Sequence, residues 1–123
     1  DGIISGLYLL ELLVSRGGDL DAALAGLEER VGKWSYERLD LPSRRDQADA
    51  MVARIRAAAP KRLAGVPIVR LNDSDGMKYY LEDGSWLLIR PSGTEPVLRL
   101  YAEARSPERV QELLARGREL TGL

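Results

Sequence analysis

The sequence predicts an α+β fold in which an antiparallel sheet of four to five strands carries its helices on one face. Four strand candidates follow one another in quick succession between Val66 and Arg105. Asp83-Gly84 between two of them is a strong hairpin signal, because two left-handed residues suit the twist of paired strands. Helix-like patterns precede and follow these strands. From residue 34 onward the predicted order is β-α-β-β-β-β-α, which indicates an antiparallel sheet covered on one side.

Two helices are predicted before this sheet. From Ile3 to Val14, apolar residues recur at intervals near 3.6, and Gly17-Gly18 ends this first helix. Because the helix is apolar on most sides, we expect it to need a larger protein around it. Asp19 is placed to cap a second helix that runs to Val31.

The first strand and the third helix come next. Trp34 to Leu41 alternates well enough for a short strand, after which Pro42-Ser43 turns the chain. Ser43 followed by Asp46 resembles a capping box for a helix that Pro60 stops. The basic residues along this helix are expected to form a solvated face, because no aromatic residues are interleaved with them.

The remaining strands show alternating polarity. Val66 to Leu71 contains a proline near its start, which favours an edge position, and Met77 to Leu81 alternates. In Val97 to Arg105 the even-numbered residues share the face that we expect to be buried, while the odd-numbered residues share the face that we expect to be exposed to solvent. Ser106 and Pro107 predict the N-cap and first residue of the last helix.

Composition limits the chemistry that the chain can perform. The 123 residues are 45% apolar, enough for a modest core, and Trp34 and Trp86 are expected to be core anchors. Charged residues make up 30% of the chain but nearly cancel, with a net charge of −1. The overall charge therefore does not attract the chain to nucleic acid or to an anionic membrane. Without cysteine or histidine there are no disulfides and no thiolate or imidazole nucleophiles. No apolar run reaches about 20 residues, so we expect no membrane partner and a cytoplasmic location.

The heptapeptide RPSGTEP, which begins at Arg90, has the composition of an anion site, and we expect it to join two adjacent strands at one end of the sheet. Ser92, Gly93 and Thr94 offer three successive backbone N–H groups, and the two hydroxyls add further donors. Arg90 adds a fork that fits two oxygens of a phosphate or carboxylate, and Arg99 on the outgoing strand is a second candidate cation. The alternative is a hairpin loop that uses these residues only as turn formers.

The acidic residues near this loop suggest structure rather than metal binding. Glu95 would repel an anion, so we expect it to hold loop amides or an arginine. Asp73, Asp75 and Asp83 stand in ordinary turn sequences, and no metal site is predicted from them.

The segment EDGSWLLIRPSGTEPVLRLYAEARS, from Glu82 to Ser106, closely resembles the C-terminal domain of the α-D-phosphohexomutases, the phosphoglucomutase/phosphomannomutase family. DGMKYYLEDGSW before it fits as well, and Asp1 to Leu13 looks like the closing helix of the family's third domain. The resemblance implies that residues 1–33 are the helical tail of that preceding domain with its linker. Residues 34–123 would be the C-terminal phosphate-binding domain, with a β-α-β4-α arrangement like that of TATA-binding proteins.

The resemblance also implies an activity for the full-length protein. Such an enzyme is an isomerase, an intramolecular phosphotransferase with magnesium that moves a phosphoryl group between C1 and C6 of a hexose through a phosphoserine and a hexose bisphosphate. Its last domain grips the phosphate that is not reacting, and the corresponding residues here are Arg90, Ser92, Gly93 and Thr94, with Arg99 as an addition. The catalytic serine, the magnesium loop and the sugar-selecting loop belong to upstream domains of the same polypeptide. We therefore expect no catalytic residue and no bound metal in this chain, which should bind a hexose phosphate weakly without turning it over.

Three alternatives remain open. Phosphoglucosamine mutases often carry a basic residue where this chain has Pro91, so the loop favours glucose or mannose phosphates over that enzyme. A nucleic-acid-binding module of similar topology would need a basic outward sheet face, against which Glu82, Glu103 and the balanced charge argue. The third alternative is a non-enzymatic interaction domain.

Overall fold

Two helices form the first of the two units into which the chain divides, Asp1–Lys33. The computed structural model describes residues 1–122, apart from the side chain of Arg45. α1 spans Gly2–Ser15 and α2 spans Leu20–Val31, close to the predicted limits. The carboxylate of Asp19 accepts hydrogen bonds from the N–H groups of Asp21 and Ala22, so the predicted cap is confirmed. Neither helix contains a buried residue.

The second unit begins at Trp34 and contains the predicted sheet with two helices. Its elements are β1 (Ser35–Pro42), α3 (Arg45–Ala58), β2 (Arg62–Leu63), β3 (Val66–Asn72), β4 (Met77–Leu81), β5 (Trp86–Pro91), β6 (Val97–Ala104) and α4 (Pro107–Thr121). All neighbouring strands are antiparallel, in the order β1-β6-β5-β4-β3-β2, which confirms the α+β class. The predicted count of four to five strands is too low by the two-residue β2, which is too short to show alternation.

The core lies between the sheet and the helices α3 and α4. On β6, the even-numbered residues Leu98, Leu100, Ala102 and Ala104 are completely buried, as the alternation predicted. Both helices pack on this side of the sheet, and the other side is left open. At Gly117 of α4, an added Cβ atom would lie 2.8 Å from Leu100 Cδ2, so glycine lets this helix approach the sheet closely.

The β4–β5 hairpin is confirmed, but its turn differs from the prediction. The N–H of Gly84 donates to the carbonyl of Leu81 at 3.0 Å, and the N–H of Leu81 donates to Ser85 at 2.9 Å, which closes a three-residue loop. Gly84 has a φ of 82°, whereas Asp83 has no positive φ. The expectation of two left-handed residues is therefore wrong, because a three-residue hairpin loop needs only one.

The predicted capping box of α3 does not form. The helix begins after Arg44, which provides no side-chain cap, and the Ser43 hydroxyl donates to the Arg44 carbonyl at 3.2 Å. Asp46 instead pairs with Arg44 at 3.2 Å. The N–H of Ser43 is already bonded to the carbonyl of Pro96, which holds Ser43 beside the sheet and outside the helix.

The tryptophans are not core anchors. Trp86 is half-buried on the open face of the sheet, because Leu87 and Ile89 take the inward positions of β5. Its indole N–H donates to Glu103 Oε1 at 3.0 Å. Trp34 is also half-buried, with the guanidinium carbon of Arg105 3.7 Å from its ring centroid.

None of the helices described between residues 1 and 122 combines the length and the hydropathy needed to cross a membrane.

Candidate functional site

The RPSGTEP loop connects β5 and β6, which are neighbours in the sheet, as the sequence predicted. It lies at one end of the sheet, where the carbonyl of Pro96 also accepts the hydrogen bond from Ser43 that ties in the end of β1. Its surface forms a shallow depression of about 210 Å³ lined by Ser92, Gly93, Thr94, Glu95 and Pro96.

Arg90 and Arg99 are directly opposite each other on β5 and β6. Residues paired in this way project from the same face of a sheet with their Cβ atoms about 5 Å apart. Both arginines therefore lie on the open face, next to the loop, with side-chain exposures of 32% and 18%. The register brings together the two cations that the sequence indicated as candidates.

The loop amides differ from the predicted row of three free donors. The N–H of Ser92 donates to the Val97 carbonyl at 2.9 Å and so continues the β5–β6 ladder. The Ser92 hydroxyl oxygen, in a residue only 4% exposed, accepts the N–H groups of Thr94 at 3.4 Å and Glu95 at 3.2 Å. Of the three, only the N–H of Gly93 has no partner within the described chain. The expectation of three free donors was wrong, because the Ser92 amide belongs to the ladder and the Thr94 amide is bonded to the Ser92 hydroxyl oxygen.

Three carboxylates surround the two arginines. Arg99 pairs with Glu95 through Nη2 and lies 3.9 Å from Asp40 through Nε. Arg90 pairs through Nη1 with Asp75, which lies in the turn between β3 and β4. The expectation that Glu95 holds an arginine is confirmed. Without a ligand, the charges of both arginines are therefore already balanced by carboxylates of the chain itself.

The electrostatic surroundings keep Arg99 protonated. Burial opposes its charge, but Tyr101, Glu95 and Asp40 outweigh that effect and raise the pKa of Arg99 above its ordinary value. Arginine is protonated at physiological pH in any protein, so Arg99 is a permanent cation of the site.

The described residues do not fit the magnesium ion that the family resemblance implies. Between residues 1 and 122 there is no group of three or more side chains that could hold a metal ion together. Each of the three turn aspartates instead faces an arginine: Asp73 faces Arg56 at 3.4 Å, Asp75 faces Arg90, and Asp83 faces Arg109 at 3.3 Å.

The sequence reasoning missed Asp40 and missed the contact of Asp75 with the site. Asp40 is directly opposite Arg99 on β1, and Asp75 reaches Arg90 from a separate turn. Only a correct strand register could have shown the first contact. The Asp-Gly pair at positions 75 and 76 carried a weak signal for the second, since it precedes the strand that pairs with β5.

The open face of the sheet has a mixed character. Trp86 lies beside Tyr36, with ring centroids 6.2 Å apart, and the Lys78 ammonium lies 3.8 Å from the Trp86 ring. Glu103 and Asp40 stand among these residues, so the face is not uniformly basic. This distribution of charge does not favour a nucleic-acid-binding module.

Comparison with known proteins identifies the family. The family model described as "Phosphoglucomutase/phosphomannomutase, C-terminal domain" matches residues 40–120. A probable phosphoglucosamine mutase of Methanothermobacter thermautotrophicus is 33% identical over 118 residues, which are 96% of this chain and 25% of that protein. The phosphoglucosamine mutase of Methanococcus aeolicus is 35% identical over 98% of this chain and 25% of its own length.

A solved structure agrees in fold. A phosphoglucomutase/phosphomannomutase family protein from Burkholderia thailandensis superposes with a TM-score of 0.65 and 23% identity over 98% of this chain and 23% of its own. The chain thus spans about a quarter of the length of the relatives that it matches. It belongs to the phosphoglucomutase/phosphomannomutase family, whose C-terminal domain it contains.

Proposed function

We propose that this chain is the phosphate-gripping C-terminal part of a phosphohexomutase and that it holds the phosphate of a hexose phosphate that is not reacting. The observation that carries the proposal is the direct opposition of Arg90 and Arg99 beside a loop in which the Gly93 amide is unbonded. Two guanidinium groups at this spacing match the charge of a phosphate dianion, and charge-assisted hydrogen bonds are the strong ones. The chain thus supplies binding, while the phosphoryl transfer belongs to other parts of the enzyme.

Within this clamp the five predicted residues take different roles. Arg90 and Arg99 provide the charge, and the exposed Gly93 and Thr94 provide an amide and a hydroxyl. Ser92 shapes the loop, because its buried hydroxyl oxygen already accepts two N–H groups. Its own proton remains available as a donor.

The substrate class that we propose for the whole protein is glucosamine phosphate, against the expectation from Pro91. Several relatives named phosphoglucosamine mutase match 92% to 98% of this chain. Those named phosphoglucomutase/phosphomannomutase and phosphopentomutase, both of Thermococcus kodakarensis, match 58% and 55% of it. Position 91 is also a poor guide physically. Pro91 is opposite the buried Leu98 and so shares the core face, away from Arg90.

The rest of the enzyme follows from the same proposal. Residues 1–33 would be the helical tail and linker of a preceding domain, since the relatives match this chain almost from end to end. The phosphoserine, the magnesium ion and the handling of the hexose bisphosphate would lie upstream. A cytoplasmic location stays a prediction.

Phosphate titrations monitored by amide chemical shifts test the clamp. Inorganic phosphate, glucose 6-phosphate and glucosamine 6-phosphate should each perturb Gly93 and Thr94 with a Kd on the order of 1 mM, whereas uncharged glucose should not. Replacing Arg90 with alanine should weaken phosphate binding about tenfold or more. Arg116→Ala removes the same charge from the exposed surface of α4 and serves as the control.

Equal shifts with glucose, or equal affinities of Arg90→Ala and Arg116→Ala, would contradict the proposal. The chain alone should show no mutase activity with any of these sugars. The substrate class is tested separately, on the protein that includes the upstream domains. There, kcat/KM should be higher for glucosamine 6-phosphate than for glucose 6-phosphate, and the reverse order would refute the assignment.

A further inference from the structure

The turn between β3 and β4 is built to bring Asp75 to Arg90. Asn72 organises the turn, since its side-chain oxygen accepts the N–H of Ser74 at 3.0 Å and the Ser74 hydroxyl at 2.8 Å. Gly76 then has a φ of 87°, and a Cβ atom there would lie 2.4 Å from the Ile89 carbonyl oxygen and 2.5 Å from Arg90 Cβ. Only glycine permits this approach, which sets Asp75 against the guanidinium of Arg90.

Asp75 differs from the other two carboxylates, because it pairs with Arg90 whereas they contact Arg99. Arg99 is contacted by both Asp40 and Glu95, so it keeps a counter-ion if one of them leaves. Among the described residues, Asp75 is the sole hydrogen-bond and ion-pair partner of the Arg90 side chain. The buried Nε of Arg90 has no acceptor within the described part of the chain. Displacing Asp75 would therefore free the whole fork of Arg90.

The contact between Asp75 and Arg90 can be displaced at little cost. The Asp75 side chain is 72% exposed, and ion pairs with an exposed partner contribute little net stability. A displaced carboxylate also has a second cation nearby. Asp75 and Lys78 line the same depression of about 270 Å³, together with Asn72 and Tyr80.

The charges near the clamp oppose phosphate in the free chain. The carboxylates of Asp40, Glu95 and Asp75 lie beside Arg90 and Arg99, and Asp40 also pairs with Arg38 at 3.1 Å, so the positive charges there are already balanced before any ligand arrives. A phosphate dianion that approaches Arg90 meets the Asp75 carboxylate at the same guanidinium. The phosphate and the carboxylate cannot both bind the same edge of the guanidinium, and like charges at this range repel each other even in water.

We propose that Asp75 is an internal counter-ion that occupies Arg90 in the free domain and competes with the substrate phosphate for it. The inference rests on the proposed phosphate clamp and adds a residue that sets its affinity. A clamp that must release its own carboxylate before it binds phosphate has a lower phosphate affinity than a clamp with a free arginine. This behaviour suits a site that must release its phosphate in every catalytic cycle.

Removing the Asp75 charge tests the competition. Asp75→Asn, in the full 123-residue chain, should bind inorganic phosphate and glucose 6-phosphate about threefold to tenfold more tightly than the unchanged chain. Asp73→Asn is the matched control, because Asp73 lies in the same turn, has the same charge and faces Arg56. It should leave both affinities within about twofold, since Arg56 does not belong to the clamp.

A double-mutant comparison shows whether the effect passes through Arg90. In the Arg90→Ala background, the gain from Asp75→Asn should shrink to within about twofold, because only the screened repulsion between carboxylate and phosphate is left once the guanidinium is removed. If Asp75→Asn binds like Asp73→Asn or more weakly while Arg90 is still required, the counter-ion inference fails and the clamp stands. If neither the unchanged chain nor Asp75→Asn shifts the loop amides with phosphate, the clamp itself fails, and the inference with it.

Discussion

At the scale of single residues, Tyr79 is a polar group without a partner in the core. Its side chain lies on the buried face of β4 with 1% of the residue exposed, and its hydroxyl makes no hydrogen bond within the described chain. Burial raises the pKa of the Tyr79 phenol. A buried hydroxyl without a partner loses its hydration and gains nothing in return.

Tyr79→Phe should therefore raise the free energy of unfolding by about 1 kcal/mol. The ring would keep its packing, and only the unpaired hydroxyl would be lost. Urea unfolding followed by circular dichroism measures the change. Tyr80→Phe on the open face is the control, with an expected change within about 0.5 kcal/mol. A loss of stability in Tyr79→Phe larger than in Tyr80→Phe would show that the hydroxyl has a partner in solution.

At the scale of elements, Asp83 and Arg109 connect the β4–β5 turn to α4. The Asp83 carboxylate accepts the Ser85 N–H at 3.0 Å and the Ser85 hydroxyl, and Arg109 Nε donates to it at 3.3 Å. Arg109 also donates to the carbonyl of Ala64 at 2.9 Å, so it joins the β2–β3 turn to the same helix. Burial opposes the Asp83 charge, but the contacts with Ser85 and Arg109 outweigh it and lower the pKa of Asp83.

Because the pKa of Asp83 is lowered, the stability of the hairpin region depends on pH. The pKa of Asp83 is lower in the folded chain than its ordinary value of 3.8. Its carboxylate therefore contributes its full stabilisation at pH values above 3.8. This contribution disappears as the pH falls through the folded pKa. Asp83→Asn should cost about 1 kcal/mol at pH 7, after allowance for the solvent that screens this partly exposed pair.

Thermal unfolding from pH 7 to pH 2 measures this dependence. The difference between the unchanged chain and Asp83→Asn should narrow once the pH falls below 3.8. Asp49→Asn, which removes a carboxylate from the exposed surface of α3, is the control. A difference that stays constant over the whole range would show that the charge of Asp83 does not stabilise the fold.

At the scale of the whole molecule, the two units differ in how they are stabilised. The hydrophobic core cluster of the described chain lies entirely in the unit that begins at Trp34. The first unit, by contrast, leaves large apolar side chains exposed on both helices, as Ile3, Leu7 and Leu24 illustrate. Exposed apolar patches of this kind favour association with another surface.

Residues 34–123 should consequently fold without residues 1–33. We expect a cooperative thermal transition with a Tm within about 5 °C of the longer chain, because the core is unchanged. The phosphate-induced shifts of Gly93 and Thr94 should persist. Sedimentation velocity should show less self-association than for the longer chain. A shortened chain that aggregates or unfolds would show that the first unit is needed for folding.

Local patterns in the sequence were enough to predict the α+β class, the β4–β5 hairpin, the caps of α2 and α4, and the position of the RPSGTEP loop between neighbouring strands. These features depend on alternation and on hydrogen bonds between residues a few positions apart, which a local pattern records. The family followed from the same stretch, because its specific residues are contiguous.

The charges around the proposed clamp could not be predicted from such patterns, because they come from residues that are distant in the sequence. Asp75 meets Arg90 from fifteen residues away, and Asp40 meets Arg99 from the neighbouring edge strand β1. The tertiary structure also decided that the Ser92 amide belongs to the ladder and that β2 adds a sixth strand. These outcomes depend on the register in which separate strands pair, and register is set by how the whole core packs.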